Sequence, residues 1–203
     1  GISLFLVDPR AKGVSIQGYP TVDGLRAAEI GFRDVKLGPD ALVGVKDRGL
    51  PTISQVIDIA TAAVCAEAVG AMTALHEITV DYLKTRKQFG VAIGSFQALQ
   101  HRAVDMLVSL EQARSMAYLA TMMAESEDAP ERRRMISAAK VQVGRSARFV
   151  GQQAIQLHGG IGMTMEYKAG HYFKRISMID TLFGDADHHL AIVARAGGLI
   201  DPI

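Results

Sequence analysis

Three long stretches of this chain place apolar residues at helical spacing, and short polar links join them. They run from about Ser54 to Lys84, from Ser95 to Ala124, and from Glu131 to Leu157. Apolar side chains that recur every three or four residues form one helix face, which has to be buried against other helices. Long helices with short links therefore predict an antiparallel helical bundle. Two shorter helices are predicted from Thr164 to Ile179 and from Asp185 to Leu199.

The first 45 residues carry a different pattern. Leu4–Val7 is apolar, and alternating segments around Val14–Ile16 and Ala28–Phe32 follow, separated by turns. Alternation with a period of two is typical of strands. The predicted fold is therefore mainly α: a C-terminal antiparallel four-helix-bundle domain over residues 50–203, preceded over residues 1–45 by part of a β-barrel or sheet domain. The chain opens directly on an apolar strand, and we expect it to be a fragment or a subunit without an upstream domain.

Composition narrows the classes of function. The 22 basic and 21 acidic residues give a net charge of +1, which provides no basis for binding nucleic acid or a membrane surface. No apolar run has the length expected of a membrane span. The single Cys65 excludes a disulfide framework and a cysteine metal site, and it indicates the cytoplasm as the simplest compartment. The adjacent His188 and His189 face different ways on a helix, so we predict no metal site.

Three glycines fall within four residues in the stretch Gln156–Tyr167, which reads QLHGGIGMTMEY. One interpretation is the C-terminal cap of a helix followed by a tight connection, and composition alone favours it. The other is a place where backbone N–H groups approach a ligand without a Cβ in the way. A second helix would then begin at Thr164 and offer its free N–H groups to an anion or a polar edge.

Two further loops have the same ambiguity. The first, Thr85–Gly90, places two cations beside an amide, an aromatic ring and a glycine. It is either a solvated charged turn or an anion-binding loop. The second, Thr181–His189, either contains the Asp N-cap of the last helix or, by its Asp185, Asp187 and paired histidines, suggests the metal site already judged against.

Four motifs together resemble those of the acyl-CoA dehydrogenases, in order and in spacing. They are RKQFG at Arg86–Gly90, FQ at Phe96–Gln97, QLHGGIG at Gln156–Gly162 and IVAR at Ile192–Arg195. The resemblance covers nearly the whole chain. It implies that residues 1–45 correspond to the second half of the family's middle β domain, and residues 50–203 to its C-terminal four-helix domain.

The resemblance also implies chemistry, namely FAD-dependent α,β-dehydrogenation of an acyl-CoA thioester. In such enzymes a base removes the α proton and the flavin accepts the β hydrogen as hydride. Arg86 would contact the FAD pyrophosphate, and Gln97 and Gln156 would hold the adenosine half, on the FAD of a neighbouring subunit. The full set of implied cofactor positions is Arg86, Gln88, Phe89, Gln97, Gln156, Gly159 and Gly160.

The positions of the base depart from the family pattern. Phe183, before Gly184, stands where most members have the catalytic glutamate, and Ala60 stands where others have it. Neither side chain accepts a proton, so no catalytic residue is assigned. Asp185 and Glu67 are the candidates for a relocated base.

Two positions would face the substrate on the same resemblance, Asp58 and Gly184. Asp185 and Asp187 occupy a stretch that in the family contacts the subunit's own FAD, and two carboxylates near a pyrophosphate would repel it. The chain therefore retains the residues it would lend to a neighbour's cofactor and lacks those for its own.

The favoured hypothesis is a base-lacking subunit of a heteromeric acyl-CoA dehydrogenase, in a heterotetramer with a catalytic dehydrogenase subunit. The substrate would be a fatty acyl-CoA or a steroid side-chain acyl-CoA. One alternative is a homomeric acyl-CoA dehydrogenase with a relocated base. Another is a flavin-free structural partner subunit, against which the joint presence of Arg86, Gln97 and Gln156 argues.

Overall fold

The computed structural model describes residues 1–197. These residues form two compact units: Gly1–Ile57, and the described residues from Asp58 onward. The predicted division into family domains between residues 45 and 50 is not tested by this partition and stays a prediction. The predicted fold class is confirmed: the chain is mainly α, with a helical bundle that follows a few short strands.

The N-terminal unit contains two antiparallel strand pairs. Strands β2 (Val14–Pro20) and β3 (Arg26–Phe32) form a hairpin, while β1 (Leu4–Phe5) pairs with β4 (Leu42–Val43). The hairpin register places Val14 opposite Phe32 and Ile16 opposite Ile30. Because side chains two residues apart share one face of a strand, these four residues lie together on one face of the hairpin. Three of them are exposed: Ile16, Ile30 and Phe32.

The C-terminal unit is the helical bundle, and a small hairpin separates its first two helices. The helices are α1 (Leu50–Thr85, which starts in the N-terminal unit), α2 (Gln97–Met123), α3 (Ala129–His158), α4 (Lys168–Thr181) and α5 (Ala186–Ala196). The hairpin strands are β5 (Lys87–Gln88) and β6 (Val91–Ala92). Short 3-10 turns cover Ile93–Ser95 and Gly159–Met163.

One hydrophobic core joins the first four helices. The side chains at its centre are fully buried and come from every one of these helices: Met72, Leu75, Met106, Leu110, Val150 and Ile176. Helices α2 and α3 run antiparallel, because the Ser109 hydroxyl lies 3.0 Å from that of Ser146 and the Arg102 guanidinium donates to Gln153 at 3.0 Å. The predicted antiparallel arrangement of the long helices follows from these contacts for α2 and α3.

Two predicted helix starts differ from the structure near the beginning of the bundle. Helix α1 begins at Leu50 rather than Ser54, because Pro51 is tolerated in a first turn, where its missing N–H has no helical partner. Helix α2 begins at Gln97 rather than Ser95. Ser95 belongs to a 3-10 turn and its hydroxyl donates back to the Ala92 carbonyl at 2.7 Å, so it does not cap the helix.

The start of α4 was also predicted wrongly. It begins at Lys168 rather than Thr164, since Gly159–Met163 continues from α3 as a 3-10 turn and Thr164 is extended. The hydroxyl of Thr164 donates to the Ile161 carbonyl at 2.9 Å, which closes that turn instead of opening a helix. The predicted end of α5 at Leu199 lies outside the described residues.

Helix α1 is long and apolar enough, by length and composition alone, to cross a membrane. This differs from the expectation that no segment of the chain would have this character. However, α1 supplies Met72 and Leu75 to the bundle core and carries a buried ion pair between Asp58 and Arg132. These are the features of a core helix, and a core helix can be as long and as apolar as a membrane span.

Candidate functional site

Three helix ends meet at one end of the bundle. The ring of Tyr82, one turn before the end of α1, lies 4.7 Å from the ring of His158, the last residue of α3. The antiparallel register of α2 and α3, set by Arg102 and Gln153, brings the first residue of α2 to the same end. The sequence segments at residues 86–90, 96–97 and 156–162 therefore lie at the same end of the bundle.

The loop at Arg86 is a tight, defined hairpin. Arg86 N–H donates to the Tyr82 carbonyl at 2.9 Å, and the Arg86 carbonyl accepts from Ile93 N–H at 2.8 Å. Phe89 and Gly90 both have positive φ, 53° and 80°, as in the two-residue turns that connect such hairpins. Positive φ is a rare conformation for a bulky residue, and local strain of this kind clusters at functional sites.

The side chains of this hairpin point to solvent. Phe89 is 90% exposed, and its ring edge faces Phe96 at a centroid distance of 6.1 Å. Arg86 and Lys87 are both exposed, and within residues 1–197 Arg86 pairs with no carboxylate. The Gln88 amide donates only to the neighbouring Lys87 carbonyl, at 2.8 Å. The fold thus fixes the Arg86 backbone firmly while the guanidinium is free to bind an anion.

The three glycines after α3 serve three different purposes. Gly159 ends the helix with a φ of 63°, so the helix-cap interpretation is correct for this residue. Gly162 is buried, and a Cβ there would lie 3.0 Å from the His158 Cβ. Gly160 lies within the 3-10 turn and does not have a positive φ, and an added Cβ would meet nothing within 4 Å. The packing of the chain itself therefore does not explain the glycine at position 160, whose exposed backbone offers close approach to a ligand.

Gln97 and Gln156 complete this end of the bundle. Gln97 is the first residue of α2 and Gln156 lies in the last turn of α3, and both are exposed. One guanidinium, two amides and an open glycine backbone thus lie at one end of a rigid bundle. This donor set fits a ligand with a phosphate and a polar ring system. The roles assigned to individual residues stay predictions.

A second group of residues surrounds the turn after α4, where the sequence resemblance predicts the position of the family's base. Phe183 has a φ of 58° and Gly184 one of 103°. The buried Lys140 ammonium donates to the carbonyls of Ile179 and Asp180 at 2.8 Å each, and to that of Gly184 at 3.0 Å. The carbonyls of Ile179 and Asp180 lie in the last turn of α4, so the ammonium also interacts favourably with the negative end of the helix dipole. Burial lowers the pKa of Lys140.

His189 holds the same turn from α5. Its Nε2–H donates to the Phe183 carbonyl at 3.1 Å, and its Nδ1 accepts from the Ser137 hydroxyl at 3.0 Å. The proton lies on Nε2, since a carbonyl can only accept a hydrogen bond. Burial lowers the pKa of His189 from 6.5 to about 4. The conformation of Phe183 is therefore imposed by two buried donors from other helices.

The side chain of Phe183 provides no base at this turn. It is 45% exposed and has no titratable group. Gly184 would bring a Cβ to 2.4 Å from the His188 ring, so the fold itself requires glycine there. A substrate contact of Gly184 stays a prediction. Ala60 is a half-buried residue of α1, and its correspondence to the family's second base position also stays a prediction.

Both candidates for a relocated base are engaged elsewhere. Asp185 caps α5 by accepting from His188 N–H at 2.8 Å, and this hydrogen bond lowers the pKa of its carboxyl. Glu67 accepts two hydrogen bonds from the Arg175 guanidinium, at 2.6 and 2.8 Å, and so joins α1 to α4. Either carboxylate would have to break these contacts before it could abstract a proton.

Asp58 is buried and pairs with Arg132, whose Nε lies 3.1 Å from the carboxylate. The same guanidinium donates to the Ser126 carbonyl at 2.6 Å. In this arrangement Asp58 joins α1 to the start of α3. Its predicted contact with substrate is untested, and the ion pair gives it a structural role that the sequence pattern did not indicate.

The described residues contain no group of three or more metal-ligating side chains, around the histidine pair or elsewhere. The rings of His188 and His189 are 86° apart, and both nitrogens of His189 are occupied by the contacts above.

Comparison with known proteins establishes the family. Residues 47–198 match the family model of the acyl-CoA dehydrogenase C-terminal domain. A helical bundle with these loops at its end, together with a match over most of the chain, defines an acyl-CoA dehydrogenase domain. The chain belongs to the acyl-CoA dehydrogenase family of flavoprotein oxidoreductases.

Relatives agree with this assignment. The probable acyl-CoA dehydrogenase FadE25 of Mycobacterium tuberculosis is 29% identical over 192 residues, which cover 95% of this chain and 48% of the relative. The structure of the Tcur3481-Tcur3483 steroid ACAD has a TM-score of 0.81 at 29% identity, over 96% of this chain and 51% of that one. PigA with FAD and proline gives 0.84 at 28% identity, over 95% and 51%. The chain thus spans about half the length of the curated relatives it matches.

Proposed function

We propose that this chain is a subunit of an FAD-dependent acyl-CoA dehydrogenase, to which it supplies the clamp for the FAD adenosine and pyrophosphate but no catalytic base. The observation that carries the proposal is the contrast between its two loops. The end of the bundle with Arg86, Gln97 and Gln156 has an exposed donor set, whereas Phe183, which the resemblance places at the family's base position, has no titratable group.

The donor set fits FAD. Arg86 would bind the pyrophosphate, because a guanidinium presents a fork of donors that matches phosphate oxygens. The amides of Gln97 and Gln156 would hold polar edges of the adenosine half, and Gly159 and Gly160 would let backbone come close to it. Gln88 and Phe89 flank Arg86 on the hairpin and would complete the clamp. When bound, FAD supplies the hydride acceptor that the chain itself does not provide.

The α proton needs an acceptor, and none of the four positions considered for it, all within residues 1–197, offers one in a suitable state. Ala60 and Phe183 have no titratable group, Asp185 is a helix cap with a lowered pKa, and Glu67 is bound by Arg175. The base would therefore come from another subunit. This argues against the homomeric alternative with a relocated base.

A flavin-free structural partner is the other alternative, and the state of Arg86 speaks against it. Its guanidinium is exposed and unpaired within residues 1–197, so it adds nothing to the stability of the bundle. A purely structural subunit would have no use for it.

A partner subunit is also supported by the surface of α2. Val104, Leu107 and Val108 recur at helical spacing and are between 42% and 56% exposed. A stripe of this kind is typical of an interaction surface. We propose a heterotetramer with a catalytic dehydrogenase subunit, located in the cytoplasm. The substrate would be a fatty acyl-CoA or a steroid side-chain acyl-CoA; the second is supported by the similarity to the Tcur3481-Tcur3483 steroid ACAD.

Arg86→Ala is expected to lower the FAD affinity of the assembled complex by about 10- to 100-fold, because a charge-assisted contact to phosphate contributes about 1.5–3 kcal/mol. Flavin absorbance per protein after gel filtration measures it, with circular dichroism as the folding control. Arg86→Lys should recover only part of the affinity, since an ammonium lacks the fork.

Lys87→Ala is the matched control, because Lys87 is an exposed cation in the same hairpin. It should leave flavin content unchanged. If Lys87→Ala removes flavin and Arg86→Ala does not, the assignment of the clamp is wrong, and with it the assignment of Gln97 and Phe183.

A further inference from the structure

A cluster of three rings lies next to the proposed clamp, and one of them, Tyr167, also packs against the hydrophobic core. His158 is 3% exposed. Its ring centroid lies 4.7 Å from that of Tyr82 and 5.0 Å from that of Tyr167, and the two tyrosine rings are 6.2 Å apart. The three residues come from the end of α1, the end of α3 and the residue before α4, so the cluster joins three separate segments.

Each ring is adjacent to a part of the clamp. Tyr82 is one helical turn before Arg86 and accepts the Arg86 N–H at its carbonyl, at 2.9 Å. His158 immediately precedes Gly159. His158 and Tyr167 flank the segment that contains Gly159 and Gly160, on its N-terminal and C-terminal side. A change in the packing of the rings would therefore alter the separation between the Arg86 guanidinium and the glycine backbone.

The His158 ring is held in one orientation. Its Nδ1–H donates to the Ala154 carbonyl at 2.8 Å, which leaves Nε2 as the unprotonated nitrogen. Nε2 is buried and meets no partner at hydrogen-bonding geometry among the described residues, although the Ile78 backbone lies close enough to oppose the effect of burial on the pKa of the ring. Burial lowers the pKa of His158, which keeps the ring uncharged between the tyrosines.

We propose that His158 is a positioning residue for FAD: its ring, packed between Tyr82 and Tyr167, sets the distance between Arg86 and Gly159–Gly160 at which the clamp binds the pyrophosphate. This inference rests on the proposed function. The ring acts through Arg86 and the glycine turn, and it does not touch the cofactor.

The test is a double-mutant cycle on FAD affinity, measured by fluorescence titration of the assembled complex. His158→Ala is expected to weaken FAD binding about tenfold in the otherwise unchanged protein, and by less than about threefold when Arg86→Ala is already present, because residues that act together are not additive. His158→Phe should restore most of the affinity, since it retains a ring between the tyrosines.

Met106→Ala is the control for a general loss of stability, because Met106 is fully buried in the middle of α2. It should lower the unfolding midpoint without changing the FAD affinity of the folded protein. The inference is overturned if His158→Ala has no effect on affinity, if its effect adds fully to that of Arg86→Ala, if Met106→Ala weakens binding equally, or if His158→Phe fails to restore binding. If Arg86→Ala itself leaves affinity unchanged, the proposed function fails instead.

Discussion

Replacing Lys140 with methionine is expected to lower the free energy of unfolding by about 3 kcal/mol, a factor of roughly 150 in the folding equilibrium. The substitution keeps most of the apolar stem but removes three donors from the carbonyls of Ile179, Asp180 and Gly184. Each charge-assisted bond contributes about 1.5–3 kcal/mol, and the recovered desolvation of a buried ammonium offsets several kcal/mol of their sum. The remainder gives the expected loss.

Urea unfolding of the full chain measures this loss. Lys168→Met is the control, because Lys168 is exposed at the start of α4 and its change should stay within about 0.5 kcal/mol. A loss below 1 kcal/mol for Lys140→Met would show that the turn at Phe183 does not depend on the buried ammonium.

The second large effect concerns proton abstraction. Flavin reduction by an acyl-CoA is expected to be about 10²- to 10⁴-fold slower with the FAD-supplied protein alone than with its assembly with a base-bearing partner, because general-base catalysis contributes this much. Stopped-flow loss of the oxidised flavin absorbance under anaerobic conditions measures the rate.

Two variants separate this account from a relocated base. Asp185→Asn retains a good helix cap, and Glu67→Gln retains an acceptor for Arg175, so both should fold. Neither should change the rate of flavin reduction in the assembly by more than about twofold. A loss of 100-fold or more in either variant would identify that residue as the base and refute the proposed division of labour.

The bundle and the position of its loops could be predicted from the sequence. Helical periodicity is a local signal. In an antiparallel bundle, the end of one helix lies beside the start of the next. This is why Arg86, Gln97 and Gln156, more than sixty residues apart at the extremes, lie at one end of the bundle. The start of α4 was missed because Thr164, two residues before Glu166, is of a type that often caps a helix, whereas its hydroxyl closes a 3-10 turn.

The supporting residues could not be predicted in this way. Lys140 and His189 donate to backbone carbonyls of other segments. Every residue has a backbone carbonyl, so the residue type does not show which carbonyl accepts such a bond. A lysine within an apolar helix face was the only available signal for Lys140. The ring cluster of His158 depends on the path of the loop between α3 and α4, which periodicity does not determine.

The flavin content of the protein, expressed at its natural length with and without a partner dehydrogenase subunit, tests the central claim most directly. The account predicts little or no bound flavin and no bleaching by acyl-CoA when the protein is purified alone. It predicts a yellow complex that acyl-CoA bleaches when the partner is present, with flavin lost on Arg86→Ala. One FAD per chain in the protein alone, bleached by acyl-CoA at the rate of the complex, would contradict it.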